Sequence, residues 1–105
     1  MSYKVVFTEK AYYDLKNIYD YISNNLFNKK AANDLVNCIF EDAQSLSVFP
    51  KKHQICREML LSNRNVRYLM VKNFKVLYIV DDNELTVFIV RIIYSKKDFN
   101  KVDIK

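Results

Sequence analysis

The chain has 105 residues, the size of one domain, and half of them are apolar. That excludes a disordered chain and allows a single core without staples. No stretch approaches the ~20 consecutive apolar residues that span a bilayer.

The N-terminal "MSYKVVFTEK" has too short an apolar run for a signal peptide, so a cytoplasmic, membrane-free protein is expected. The net charge is +5, and it is uneven. Residues 1–50 hold five Lys and no Arg against six acids, whereas residues 51–105 hold eight Lys and four Arg against six acids. Such asymmetry points either to an anionic partner or to basic residues that only solvate strands. Cys38 and Cys56 form no CxxC pair, and His53 is the single histidine. These are too few ligands for a structural zinc, so no metal and no cofactor are expected. Cys38 reads as a small hydrophobe in or near the core and Cys56 as a loop residue, with no disulfide between them.

"YKVVF" (3–7) reads as a first strand. Thr8 stands as an N-cap, followed by Ala11, Leu15, Ile18 and Ile22 at helical spacing, which predicts a helix over about 9–24. "NNLFNKK" breaks the pattern. Asn28 then caps a second helix over about 29–48, with Ala32, Leu35, Ile39, Ala43 and Leu46 on its apolar face. Pro50 helps end it. The short link predicts an antiparallel helical hairpin.

After Pro50 the period changes. "VRYLMV" (66–71), "FKVLYIV" (74–80) and "LTVFIVRII" (85–93) are β-rich runs joined by Lys72-Asn73 and "DDNE". They predict an antiparallel meander. With no glycine in the chain, Asn and Asp are expected to take the left-handed turn positions, Asn73 among them. The order β-α-α-β-β-β is that of one α+β domain over 1–105, with the hairpin packed on a small, mostly antiparallel sheet. The tail "KKDFNKVDIK" reads as short helix or loose chain.

Strand alternation places Arg67 with Leu69 and Val71, and Lys75 with Leu77 and Ile79. It places Arg91 with Leu85, Val87, Ile89 and Ile93. Antiparallel pairing is expected to gather Arg67, Lys75 and Arg91, with Arg57, Arg64, Lys51, Lys52 and His53 folding over the same surface. Lys96 and Lys97 leave it at the far end. A Lys/Arg-rich sheet face suits nucleic-acid phosphates or an acidic protein segment, and Tyr94 either stacks on a base or packs beneath the tail.

Motifs of known chemistry are missing. There is no GxSxG, P-loop, HExxH or dinucleotide fingerprint. Asp81, Asp82 and Glu84 cluster in a turn and read as solvated. His53 is a general acid or base, or simply exposed.

"YKVVFTEKAYYDLKNIYDYI", "FP" after the second helix, "VRYLMVKNFKVLYIV" and "VFIVRIIYSKKDF" together resemble the RelE/ParE superfamily of bacterial toxins from type II toxin–antitoxin systems. Arg67, Phe74, Lys75, Tyr78, Tyr94, Lys96, Lys97 and Asp98 stand at that superfamily's characteristic places. The resemblance implies a growth-arresting toxin, of the kind linked to plasmid stabilisation, neutralised by a cognate antitoxin. It implies one of two targets: DNA gyrase, bound without nuclease action, or mRNA in the ribosome, cleaved. For the nuclease, the candidate catalytic residues would be Arg67, Lys75, Tyr94 and Lys97. For the binding toxin, the contact residues would be Arg57, Arg67, Lys75, Arg91, Tyr94, Lys96 and Lys97. Ser95-Lys96 replaces the Gly-Arg that often follows the last strand, and Lys lacks the bidentate grip of Arg on phosphate. The expectation is therefore a ParE-like binding toxin, with the RelE-like endoribonuclease as the alternative.

Overall fold

The computed structural model describes residues 2–57 and 63–96. Four strands form one sheet in the order β1-β4-β3-β2. They are β1 (Lys4–Phe7), β2 (Arg67–Val71), β3 (Phe74–Asp81) and β4 (Thr86–Tyr94). β2, β3 and β4 form the expected meander, paired antiparallel. β1 runs parallel to β4, from Lys4 opposite Thr86 to Phe7 opposite Ile89. A parallel neighbour cannot be reached by a tight turn. The helical hairpin and two strands of the meander lie between β1 and its partner in sequence.

Thr8 both starts the first helix and pins it. Its hydroxyl accepts from the Ala11 N–H at 3.3 Å and donates to the Ile89 carbonyl at 3.0 Å. Helix α1 (Glu9–Asp20) continues as a wider π-helical turn over Tyr21–Asn25, which together fill the span expected of one helix. The Asn28 side chain accepts from the Ala31 N–H at 3.0 Å and caps α2 (Lys29–Gln44). A 3-10 turn at Ser45–Ser47 ends the second helical span.

The buried stripe of α1 is Ala11 and Leu15; that of α2 is Ala32, Leu35, Ile39 and Ala43. All but Ala32 pack on Val71, Val76, Tyr78, Val87, Ile89 and Ile92 from the sheet. Ile39, Leu46 and Ile89 are fully buried, each stabilising the fold by about 1.5–3 kcal/mol. Apolar residues on both faces of the strands have a second cause. On the face away from the helices, Leu77, Val90 and Ile93 pack with Cys56 and Val66 in a smaller core. Cys56 lies outside the helices and strands, as expected, yet is buried, and its N–H donates to the Val66 carbonyl at 2.8 Å. Cys38 is half-buried, and neither cysteine is in a disulfide.

Two expectations need correction. Arg91 does not share a face with both Ile89 and Ile93. Tyr78 stands opposite Ile89 while Leu77 stands opposite Arg91, so Val90 is an extra residue in a bulge. One inserted residue resets the alternation, so Ile89 joins the helix-side core and Ile93 the other. The left-handed turn positions also do not fall to Asn and Asp. Positive φ occurs at Phe27, Phe49, Asn65, Lys72 and Leu85. Among the described residues only Asn65 fits the rule; at the tight β2–β3 turn Lys72, not Asn73, takes the strain. Loop closure imposes these angles, and without glycine the residue at hand bears a cost of about 1–2 kcal/mol. The expectation for the tail falls on residues 97–105, outside the described residues.

Candidate functional site

The β2–β3 turn and the end of β4 lie side by side. Phe74 pairs with both Val71 and Tyr94, and the Ser95 N–H donates to the Asn73 carbonyl at 2.8 Å. This end of the sheet carries exposed Lys72 and Lys96, half-buried Lys75 and exposed Tyr94. The Lys75 ammonium sits 4.4 Å from the centre of the Tyr68 ring, a cation–π contact on the face away from the helices. Tyr94 leans edge-on against Phe74, ring centres 5.9 Å apart, and borders an apolar cleft with Ile18, Tyr21 and Ile22. This end of the sheet therefore carries a cation on the open face, Lys75, and an aromatic on the helix side, Tyr94, with Lys72 and Lys96 between. Lys72 was missed in sequence because it was read only as a turn residue.

The other cations do not join this rim. Arg67 lies on the helix side of β2, opposite Tyr78, and its Nη1 donates to the His53 carbonyl at 2.6 Å. Tyr78 is fully buried and its hydroxyl donates to the Pro50 carbonyl at 2.6 Å. Burial pushes the Tyr78 phenol up to about 12, against a smaller opposing pull from Arg67. The His53 ring stands edge-on to Tyr78 at 6.4 Å, and burial followed by the Lys52 charge lowers its pKa. These groups clamp residues 50–54 onto β2 and β3.

Arg91 is held elsewhere again, paired with Asp14 of α1, with both side chains nearly buried. Arg57 is exposed just past Cys56. Lys97 lies outside the described residues. The expected convergence of Arg67, Lys75 and Arg91 on one patch is thus corrected: they point to a loop, to the open sheet face and to α1. Alternation separates Arg67 from Lys75, and Arg91, opposite Leu77 on the Lys75 face, is drawn away by Asp14.

Chemically, the rim of Lys72, Lys75, Tyr94 and Lys96 can bind an anionic or acidic surface. Tyr78 keeps its proton at neutral pH, and Arg67 and Arg91 serve main chain and carboxylate. Among the described residues no group of three or more His, Cys, Asp or Glu side chains could hold a metal ion. No helix among them is long and apolar enough to cross a membrane.

The family model described as ParE toxin of type II toxin–antitoxin system, parDE, matches residues 5–99. Solved structures share the fold. A chain of the chromosomal ParDE TA system from P. aeruginosa superposes with a TM-score of 0.71 at 23% identity, covering 90% of this chain and 98% of that one. A chain of the toxin–antitoxin complex RelBE2 from Mycobacterium tuberculosis gives 0.64 at 23% identity, covering 90% and 92%. A mutant of the E. coli toxin RelE in the free state gives 0.63 at 13% identity, covering 91% and 86%. No curated protein matches the chain.

Proposed function

The chain belongs to the ParE toxin family of type II toxin–antitoxin systems, and from that premise we propose that it arrests growth by binding an essential enzyme, DNA gyrase, without cleaving RNA. The single observation that carries this reading is the commitment of Arg91 to Asp14 and of Arg67 to the His53 carbonyl. RNA cleavage needs a base, an acid and a charge clamp around one phosphate. Here the two arginines and Tyr78 are engaged in holding the fold. Lys75, Tyr94 and Lys96 offer a binding surface, and Arg67 and Arg91 hold the strands that carry it. A cognate antitoxin neutralises the toxin by covering this surface with an acidic segment, so its binding weakens with salt. The ParDE and RelBE2 structures, both from two-component systems, support such a partner.

Two measurements test the proposal together: a gyrase supercoiling assay with purified protein, and primer extension on mRNA from expressing cells. Lost supercoiling without cuts is expected. Codon-linked cuts with intact supercoiling would replace this reading with the ribosome-dependent endoribonuclease.

A further inference from the structure

At the opposite end of the sheet, Tyr3, Phe49, Pro50, Lys51 and Lys52 line a trough of about 720 Å³. We propose that it is a docking site for an acidic segment of a protein partner, one that inserts an apolar side chain flanked by carboxylates.

Phe49 supplies the first argument. It has φ 54° and ψ 55° and is 75% exposed. A left-handed backbone is costly for an aromatic residue, and exposure forgoes its burial. The chain nonetheless holds it there. The Lys52 N–H donates to the Phe49 carbonyl at 3.2 Å, and buried Tyr78 holds the next carbonyl, that of Pro50. A strained residue held rigidly by its surroundings is a recognised mark of ligand clamps, and pre-organised aromatics anchor interfaces. Val48 beside it is also exposed.

Charge supplies the second. Asp82 accepts from the Tyr3 hydroxyl at 2.8 Å and from the Lys51 ammonium, which braces the trough against the β3–β4 turn. Lys51 is paired with Asp82, and exposed Lys52 leaves the rim of the trough positive. An apolar floor with a positive rim selects an apolar side chain next to acids. The volume falls within the ~300–1,000 Å³ of ligand pockets. Because Phe49 stands open to solvent, the trough suits a side chain carried on a continuous chain better than a small molecule needing enclosure.

Position supplies the consequence. Tyr3 precedes Lys4, which pairs with Thr86, while Tyr94 is at the other end of β4. A partner seated here leaves the Lys72, Tyr94 and Lys96 rim uncovered.

The test uses the full-length protein and a short synthetic peptide with one Phe between Glu residues, followed by NMR. Control peptides carry Ala for Phe, or Lys for Glu. Saturable shifts at Tyr3, Phe49, Lys51 and Lys52 are expected for the acidic Phe peptide alone, weakening with salt. Phe49→Gly should weaken binding roughly tenfold, about 1.4 kcal/mol, while relieving the backbone. Lys52→Glu, an exposed change that does not threaten the fold, should reverse the preference toward the Lys-flanked peptide. The absence of saturation at millimolar peptide, shifts confined to other surfaces, or equal binding of the Lys-flanked peptide to the unmodified chain would overturn the proposal. None of these readouts depends on gyrase or on toxicity.

Discussion

Arg91 of β4 and Asp14 of α1 meet through two parallel contacts, Nε to Oδ2 at 2.7 Å and Nη2 to Oδ1 at 3.1 Å. The same Asp14 Oδ2 accepts the Ile92 N–H at 2.9 Å. β1 ends at Phe7, opposite Ile89, so beyond that point no strand among the described residues flanks this edge of β4. A side chain of α1 takes over as acceptor where the neighbouring strand stops.

This arrangement makes the two partners unequal. Removing one member of a nearly buried pair costs about 3–5 kcal/mol, because a charge stays behind without compensation. Asp14→Ala removes both contacts to the Arg91 guanidinium and the acceptor of the Ile92 N–H, whereas Arg91→Ala leaves Asp14 still bonded to Ile92. Urea unfolding should therefore rank Asp14→Ala as the more destabilising. Equal losses would mean that the Ile92 contact contributes nothing.

Tyr78 sets an alkaline limit. Its folded pKa of about 12 lies above the unfolded value near 10. The stability it contributes is fully present below pH 10 and lost as pH rises toward 12. Tyr78→Phe removes this window and the bond to Pro50, at a cost of about 0.5–1.5 kcal/mol at neutral pH. Thermal melts of the two proteins from pH 8 to 12 should converge. Parallel curves would show that Tyr78 ionises no differently in the folded chain.

Toxicity should separate surface cations from those that hold the fold. Lys96→Ala and Lys75→Ala are expected to relieve growth arrest while the melting temperature changes little. Arg67→Ala should relieve it too, but with about 1.5 kcal/mol lost from the clamp on residues 50–54. Growth curves paired with melts decide this. Full toxicity in both lysine variants would mean the Tyr94 rim is not the contact surface.

Phe27 offers a gain in stability. Its φ is 52° and it is 89% exposed, at the tip of the hairpin between the π-helical turn and α2. Glycine accepts this backbone without steric cost and little buried surface is given up, although the unfolded chain gains freedom. Phe27→Gly should stabilise by about 0.5–1 kcal/mol, read as a higher urea midpoint. A lower midpoint would show that the exposed ring packs in solution.

Much of this was legible in one dimension because it depends on near neighbours. Thr8 and Asn28 mark helix starts since a cap needs only the three following residues, and both caps are present. The stripe Leu35, Ile39, Ala43 shows its face through helical period alone. The meander followed from two short links between β-rich runs. The small second core around Leu77 and Cys56 was less visible, because a strand buried on both faces loses its alternation.

By itself, then, the order of residues determined the element types, the helical hairpin and the antiparallel meander, since these answer to periods of two and near four and to local caps. Only the tertiary structure decided where the arginines point. The bulge at Val90 redirected β4, Asp14 seventy-seven positions earlier in the chain claimed Arg91, and the loop at His53 claimed Arg67. Such partners are distant in sequence, so no local pattern encodes them. The rim of Lys72, Lys75 and Lys96 stands at one end of the sheet, apart from those two arginines.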